Sequence, residues 1–290
     1  MRQTVLPDGT SLWAPSPLEA AVLYREIITE RTYERHGIRV APGDIVFDVG
    51  ANIGLFAIHM ARTVPGVHVH AFEPLPPLFE TLSRNLEALA PEVHAHHVAL
   101  SDHAGEATFE LDPFLTMNAI MDANAVRDAA DHRAPASAWA AAALADLNRV
   151  QPNRLSVFAG RALRQPIGRI AVLTVLAPLA VALSVRHWWF VEHHTCRLQT
   201  LPAAMRAAGV DHVDLVKVDV EGAEEAVLAG VDDACWSRVR QFVIEVHDVG
   251  GRLDRLRTRL EAHGFRTACA REDWALHELL GIYTLYATRA

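Results

Sequence analysis

The sequence contains few of the residues that a disulfide-stabilised or zinc-binding protein needs. Its three cysteines, Cys196, Cys235 and Cys269, are widely separated and form no C-x-x-C pair. An odd number at this spacing excludes a disulfide framework and favours a reducing compartment, so we expect three buried thiols. None of the sixteen histidines stands in a tight ligand spacing with a cysteine. The sequence therefore assigns no metal ligand, although its clustered acidic groups leave a divalent ion open.

Basic charge and long apolar runs are scarce as well. The chain has 27 Lys and Arg against 35 Asp and Glu, a net charge of -8, which argues against nucleic-acid binding through a general basic field. The apolar run Ile170–Val185 contains Pro178 and is too short to span a bilayer core of about 30 Å as a helix. The N-terminus shows no basic segment followed by an apolar stretch. We therefore expect no signal peptide and a cytoplasmic protein.

From residue 44 onward, β-rich apolar runs alternate with helical patterns. Six runs have strand character: DIVFDVG, VHVHAFEP, VHAHHVALS, VDLVKVDVEG, QFVIEVHD and GIYTLYATR. The alternation predicts an α/β fold, a Rossmann-like doubly wound sheet whose core comprises residues 44–116 and 195–290. Before it, residues 1–43 predict a hairpin from Thr4 to Trp13 and a helix from Pro17 to Tyr33.

Residues 117–194 break this rhythm between the third and fourth core strands. They predict a mainly helical insertion or cap, which from residue 147 to residue 191 holds six arginines and no acid. Three roles stay open for it. The first is a hairpin that faces the core of the cap. The second is a cover over an apolar or carrier-bound substrate, with the arginines against an acidic carrier protein. The third is a peripheral contact with an anionic membrane surface.

The motif DVGANIG, residues 48–54, places a glycine turn between a strand and a helix. Such a turn at the carboxyl edge of a parallel sheet binds small ligands. A dinucleotide fingerprint needs a glycine where this chain has Asn52, so a diphosphate is disfavoured. Asp48 adds a negative charge at the strand tip, which suits an ammonium or sulfonium ligand. Asn52 is expected to adopt a left-handed conformation, with its amide facing that ligand.

Polar side chains also follow the next strands. Glu73 ends the second strand, where a rim carboxylate accepts the two hydroxyls of a ribose. A nucleoside that carries an amino-acid-like cation fits both features, and S-adenosylmethionine is such a molecule. Ser101 and Asp102, placed at the end of the third strand, are candidates to hold its adenine. Asp219 and Glu221 follow the fourth strand, at the same edge.

Together these motifs resemble the FkbM family of S-adenosylmethionine-dependent methyltransferases. The resemblance rests on DVGANIG, FEP, VALSD, LVKVDVEGAEEAVLAG and IEVH, and it covers residues 20–111 and 195–290. It implies a class I methyltransferase sheet of seven strands, the last antiparallel, and methylation of a hydroxyl on a natural product or sugar. The residues that it implies for the methionine end of the cofactor are Asp48, Gly50, Asn52 and Gly54. It further implies Glu73 for the ribose, Ser101 and Asp102 for the adenine, and Asp219 and Glu221 beside the methyl group.

Transfer to an alcohol requires a group that removes the hydroxyl proton. His247, at the end of the fifth strand, is the first candidate because an imidazole titrates near ~6.5. Asp219 and Glu221 are its rivals. Two alternatives to an O-methyltransferase stay open: a protein that binds S-adenosylmethionine without transferring its methyl group, and one that catalyses another reaction in the same cleft. A nicotinamide-dependent oxidoreductase is disfavoured by Asn52 and Asp48.

Overall fold

A computed structural model of the chain describes residues 1–111, 120–121, 146 and 191–289. The mainly helical cap expected at 117–194 therefore lies largely outside the described residues, as does most of its arginine-rich part. Within the described ranges, no helix combines the length and the apolarity that crossing a bilayer requires.

The N-terminal hairpin is confirmed, whereas the expected helix is interrupted. β1 (Arg2–Val5) pairs antiparallel with β2 (Ser11–Ala14). α1 (Pro17–Tyr24) is followed by a π-helical turn at Arg25–Thr29 and a 3-10 turn at Thr32–Glu34. Between these two turns Arg31 has a left-handed backbone with φ 51°. A left-handed residue cannot continue a right-handed helix, so one helix to Tyr33 is wrong.

Seven strands form the main sheet, as expected. In chain order they are β3 (Ile45–Val49), β4 (His68–Phe72), β5 (His94–His96), β10 (Leu215–Val218), β11 (Gln241–His247), β12 (Arg266–Ala270) and β13 (Ile282–Thr288). Their spatial order is β12-β13-β11-β10-β3-β4-β5, and β13 runs antiparallel to both of its neighbours. The parallel pairs β4–β3, β3–β10 and β10–β11 bring four strand ends to one edge.

Helices cover both faces of this sheet. α2 (Leu55–Thr63) and α3 (Pro76–Leu89) contribute to one hydrophobic core. The helices that contribute to the other are α4 (Leu201–Ala208), α5 (Glu224–Ala229), α6 (Asp233–Trp236) and α7 (Arg252–Ala262). α8 (Ala275–Leu280) lies between β12 and β13 in the chain. Val46 and Phe47 are adjacent in β3 and fully buried, yet they enter opposite cores because strand side chains alternate.

A second sheet corrects the expected third strand. The main-sheet strand ends at His96, and the chain then turns, with the Val98 amide bonded to the His96 carbonyl. Ala99 and Leu100 form β6, which pairs with β9 (Glu192–Gln199) in the order β6-β9-β7-β8, where β7 is Gly105–Leu111 and β8 is Ile120–Met121. Ser101 and Asp102 therefore follow a strand of this second sheet. Short apolar runs do not reveal such a change of sheet.

The cysteines divide into two kinds. Cys196 and Cys235 are buried, as expected, whereas Cys269 is exposed. The expectation of three buried thiols is thus wrong for Cys269. It lies on β12, the edge strand of the main sheet, and its side chain projects to a face that the described residues leave open.

Candidate active site

The carboxyl ends of β4, β3, β10 and β11 form the floor of the candidate site. Glu73 follows β4 directly, the glycine turn follows β3, Asp219 follows β10, and His247 ends β11. The expected convergence of these segments at one sheet edge is confirmed, because parallel neighbours end on the same side.

The glycine turn has the left-handed backbone that the sequence predicts. Gly50, Asn52 and Gly54 have φ values of 79°, 52° and 89°. A Cβ on Gly50 would overlap the backbone carbonyl of Asp219, and one on Gly54 would lie 2.6 Å from Leu82 Cδ1. Packing against the Asp219 backbone therefore requires glycine at position 50, whereas at position 54 the positive φ is what favours glycine. Asn52 is not a glycine, but its short polar side chain tolerates the left-handed backbone conformation.

Asp48 is not a free carboxylate at the rim. It is fully buried, and its Oδ1 lies 3.0 Å from Lys217 Nζ. The two residues are in-register partners on β3 and β10. Burial raises the pKa of Asp48, and Lys217 offsets part of that rise. The negative charge expected at this strand tip is thus neutralised inside the protein, which corrects the electrostatic role given to Asp48.

Lys217 is a site residue that the sequence reasoning missed. Its Nζ also donates to the Gly50 carbonyl at 2.9 Å and lies 3.4 Å from Asp219 Oδ2. Burial lowers the pKa of Lys217, but Asp48 and Asp219 outweigh burial and raise it. The sequence does contain a signal for this residue, which is a lysine inside the apolar strand LVKV. A buried ammonium requires a carboxylate partner, so such a lysine predicts a buried ion pair.

Glu73 is held beside the turn by backbone donors. Its two carboxylate oxygens accept from the Asn52 amide at 2.9 Å and from the Leu75 amide at 3.0 Å. Burial nevertheless raises the pKa of Glu73 to about 7. Each oxygen keeps one further acceptor position, so the carboxylate can still receive two ligand hydroxyls.

Ser101 and Asp102 differ in their access to a ligand. Ser101 is buried, and its hydroxyl donates to Asp102 Oδ1 at 3.2 Å. The Asp102 side chain is 51% exposed and pairs with His103, which lowers the pKa of Asp102. Asp102 is therefore the member of this pair that a ligand can reach, and its adenine role stays a prediction.

Asp219 contacts two residues of the N-terminal segment through a hydrogen-bond relay. The Tyr33 hydroxyl lies 3.1 Å from Asp219 Oδ2 and 3.0 Å from Glu26 Oε1. A hydroxyl has only one proton to donate, so it satisfies one of the two carboxylates. Burial, followed by the charges of Glu245 and Asp219, raises the pKa of Glu26 well above its usual range. Glu26 is accordingly the carboxyl that retains its own proton.

His247 lies against two carboxylates. Its Nε2 is 3.1 Å from Glu221 Oε2 and 3.8 Å from Glu245 Oε1. Burial lowers the pKa of His247, but Glu221 and then Glu245 raise it well above its usual range. The two carboxylates therefore favour the protonated ring, which differs from the expectation of a base that titrates near its ordinary value. Glu221 is adjacent as expected, and it has a left-handed backbone with φ 50°.

Carboxylates exceed fixed cations at this edge. The buried or partly buried carboxylates are Glu26, Asp48, Glu73, Asp219, Glu221, Glu224 and Glu245. Lys217 neutralises Asp48, and Arg252 pairs with Glu224 at 3.0 Å. Burial raises the pKa of Glu73 and of Glu245 to about 7, and it raises the pKa of Glu221 and of Glu224 as well. A bound cation would favour the ionised form of these carboxyl groups. A cationic ligand is the species that such a site favours.

Residues 48–267 match the family described as the methyltransferase FkbM domain. The chain belongs to the FkbM methyltransferase family. It is 36% identical over 268 residues to the 31-O-demethyl-FK506 methyltransferase FkbM of Streptomyces tacrolimicus, covering 92% of this chain and 90% of that protein.

Two further comparisons differ in coverage. The chain is 34% identical to the AMB antimetabolite synthetase AmbE of Pseudomonas aeruginosa over 98% of its own length, but it spans only 12% of that protein. The solved FkbM methyltransferase of Methylobacillus flagellatus aligns with 95% of this chain and 56% of that one, at a TM-score of 0.48 and 14% identity.

Besides Lys217, three contributors to this site were not predicted as site residues. Glu26 and Tyr33 precede the matched segment 48–267, and nothing in the spacing of their helix pointed to the sheet edge. Glu245 stands two residues before His247 on β11, so strand periodicity alone places both side chains on one face. That signal was present in the IEVH motif.

Proposed function

We propose that this FkbM methyltransferase takes its methyl group from S-adenosylmethionine and transfers it to a hydroxyl of a small molecule. The acceptor is a polyketide, another natural product or a sugar, either free or carried by a protein. The excess of carboxylates at the sheet edge carries the proposal, because the donor is a cation that bears a ribose and no phosphate. The name of the Streptomyces tacrolimicus relative supports a hydroxyl acceptor.

The described residues fit this donor. Glu73 retains one acceptor position on each oxygen for the ribose hydroxyls, and Asp102 is exposed enough to meet the adenine. Asp219, with 23% of its side chain exposed, offers a carboxylate to the cationic end. When bound, S-adenosylmethionine supplies a methyl group that its sulfonium charge makes electrophilic. The turn and Lys217 hold the surrounding backbone in place.

The acceptor hydroxyl must lose its proton as the methyl group arrives. The carboxylates beside His247 favour its protonated form, so we assign the acceptance to a carboxylate, either Asp219 or Glu221. His247 then acts as a positioning residue that orients Glu221 across 3.1 Å. Alignment of the hydroxyl with the methyl group supplies much of the rate, about 7–11 kcal/mol in the best intramolecular reactions.

Formation of S-adenosylhomocysteine with a panel of hydroxylated acceptors tests the proposal. Asp219→Asn is expected to reduce kcat by about 100-fold or more, while the exposed Glu225→Gln leaves it unchanged. Calorimetry with S-adenosylmethionine should show weaker binding for Glu73→Gln than for the exposed Glu80→Gln on α3. Tight binding of the donor with no product from any acceptor would favour the non-catalytic alternative. Binding of a nicotinamide dinucleotide in its place would overturn the proposal.

We further propose that the arginine-rich segment 147–191 meets an acidic carrier protein that presents the substrate. The match to a small part of a much larger synthetase supports a partner of this kind. Co-sedimentation with an acidic carrier should weaken as salt rises, because exposed charges are screened within about 8 Å at physiological ionic strength. Flotation with anionic vesicles, and no carrier binding, would instead support the membrane-surface alternative.

A further inference from the structure

Three potential ligand atoms converge beside Asp219. Glu245 and His247 project from one face of β11, and Glu221 reaches them from the loop after β10. The His247 Nε2 atom and one oxygen from each carboxylate all lie within 4.8 Å of one another. Of the described residues, these form the group of histidine, cysteine and acidic side chains whose spacing suits an ion.

The separations fit one small divalent cation. Oxygen and nitrogen ligands placed about 2.1 Å from an octahedral ion are about 3 Å apart when adjacent and about 4.2 Å apart when opposite. His247 Nε2 lies 3.1 Å from Glu221 Oε2 and 3.8 Å from Glu245 Oε1. An ion placed among the three atoms would therefore meet ordinary coordination distances after small side-chain adjustments.

Unmet hydrogen bonding provides a second, independent observation. Nε2 of His247 is buried and has no hydrogen bond of acceptable geometry, although it lies close to Glu221. Glu245 is only 8% exposed, and its Oε1 lies 3.8 Å from His247 Nε2. Buried polar atoms are nearly always paired, so the Nε2 atom, which faces both carboxylates, indicates a missing partner.

The neighbouring cations are already engaged elsewhere. Arg252 Nη1 donates to the His247 carbonyl and to Glu224, both at 3.0 Å, and thereby fixes the end of β11. Lys217 is held by Asp48 and the Gly50 carbonyl. Neither is placed to compensate Glu245. A divalent cation would displace the proton of His247 and balance the charges of Glu221 and Glu245, with the neutral imidazole as the third ligand.

We infer that Glu221, Glu245 and His247 bind a divalent cation of the magnesium and manganese class at the edge of the sheet. Two carboxylate oxygens favour hard cations, and the imidazole makes manganese the better fit of the two. Three protein ligands leave coordination positions open for water or for the acceptor hydroxyl, whose oxygen the cation would polarise. With Glu221 bound to the cation, Asp219 is the carboxylate left to accept the hydroxyl proton. The binding site stands on its own geometry, and only the role in catalysis rests on the proposed function.

Manganese titration of the full-length protein tests the inference. The protein is first stripped with a chelator, and free Mn²⁺ is then followed by electron paramagnetic resonance without any methyl donor present. One bound ion per chain is expected, with competition by Mg²⁺. Because losing even an outer-shell partner weakens metal binding by about 10–100-fold, Glu245→Gln and Glu221→Gln should each weaken it by at least about 10-fold. Glu225→Gln is the matched control, because the Glu225 side chain is 40% exposed and is not one of the three ligands.

The outcomes separate this inference from the proposed function. Absence of a bound ion, or affinity unchanged in both variants, overturns the metal site even if S-adenosylhomocysteine is still produced. Specific Mn²⁺ binding by a protein that ignores S-adenosylmethionine supports the metal site and contradicts the proposed donor. Circular dichroism of each variant verifies that it is folded, and the two independent Gln substitutions keep the test decisive if one of them misfolds.

Discussion

Replacing Lys217 by methionine tests how the sheet edge is held together. The substitution keeps most of the volume but removes the ammonium that lies 3.0 Å from Asp48 and 3.4 Å from Asp219. Asp48 is fully buried, so its charge would be left without a partner. Breaking a buried pair from one side costs about 3–5 kcal/mol of unfolding free energy. For a chain of this size, the melting temperature should fall by on the order of 10 °C.

The second half of this test is a double-mutant cycle. Asp48→Asn alone should cost less than Lys217→Met, because Lys217 keeps Asp219 as a partner while Asp48 has no second cation. The double variant should recover about 1–3 kcal/mol relative to the sum of the single losses. Urea denaturation at constant m-value measures all three. A Lys217→Met loss below about 1 kcal/mol, or strictly additive losses, would refute the buried-pair reading. The corresponding cycle in the exposed pair Arg257–Asp254, with Arg257→Met and Asp254→Asn, serves as the control.

Three further predictions concern a glycine and two titrating groups. Gly50→Ala should destabilise the fold more than Gly9→Ala. Both glycines have positive φ, but only a Cβ added at Gly50 would meet a backbone carbonyl. Equal losses of stability in chemical denaturation would contradict this prediction. Burial raises the pKa of Glu73 to about 7, so the folded state keeps this proton to a higher pH than the unfolded state does. The stability of the wild type relative to Glu73→Gln should therefore fall as pH rises from about 4.5 to 7. Burial lowers the pKa of His70 to about 4. As pH falls from about 6.5 to 4, the wild type should therefore lose up to about 3 kcal/mol more stability than His70→Gln, and parallel pH profiles of the two proteins would contradict this prediction.

The N-terminal segment contributes residues to the candidate site although it lies outside the sequence motifs. Glu26 and Tyr33 precede the family match, yet they reach Asp219 because the π-helical turn and the left-handed Arg31 redirect the chain after α1. A hydrophobic pattern predicts a helix there and cannot predict this break. The relay links the first 43 residues to the candidate site, so their role extends beyond packing.

The sequence determined the architecture and the edge at which the site lies. Alternating strand and helix patterns predict a parallel sheet, and chirality leaves one usual way to wind it, so Glu73, Asp219 and His247 had to meet at the carboxyl edge. The backbone of Asn52 followed from its residue type and position. The family motifs added the identity of the reaction.

The tertiary structure decided how charge is distributed within that site. Whether Asp48 is free or neutralised depends on its register with Lys217, and whether His247 is a base or an imidazolium depends on two carboxylates brought to it. Register and burial arise from contacts between distant segments, and electrostatic energies vary steeply with both distance and burial. The residue types predict which groups can ionise, but only the fold determines which of them carry charge.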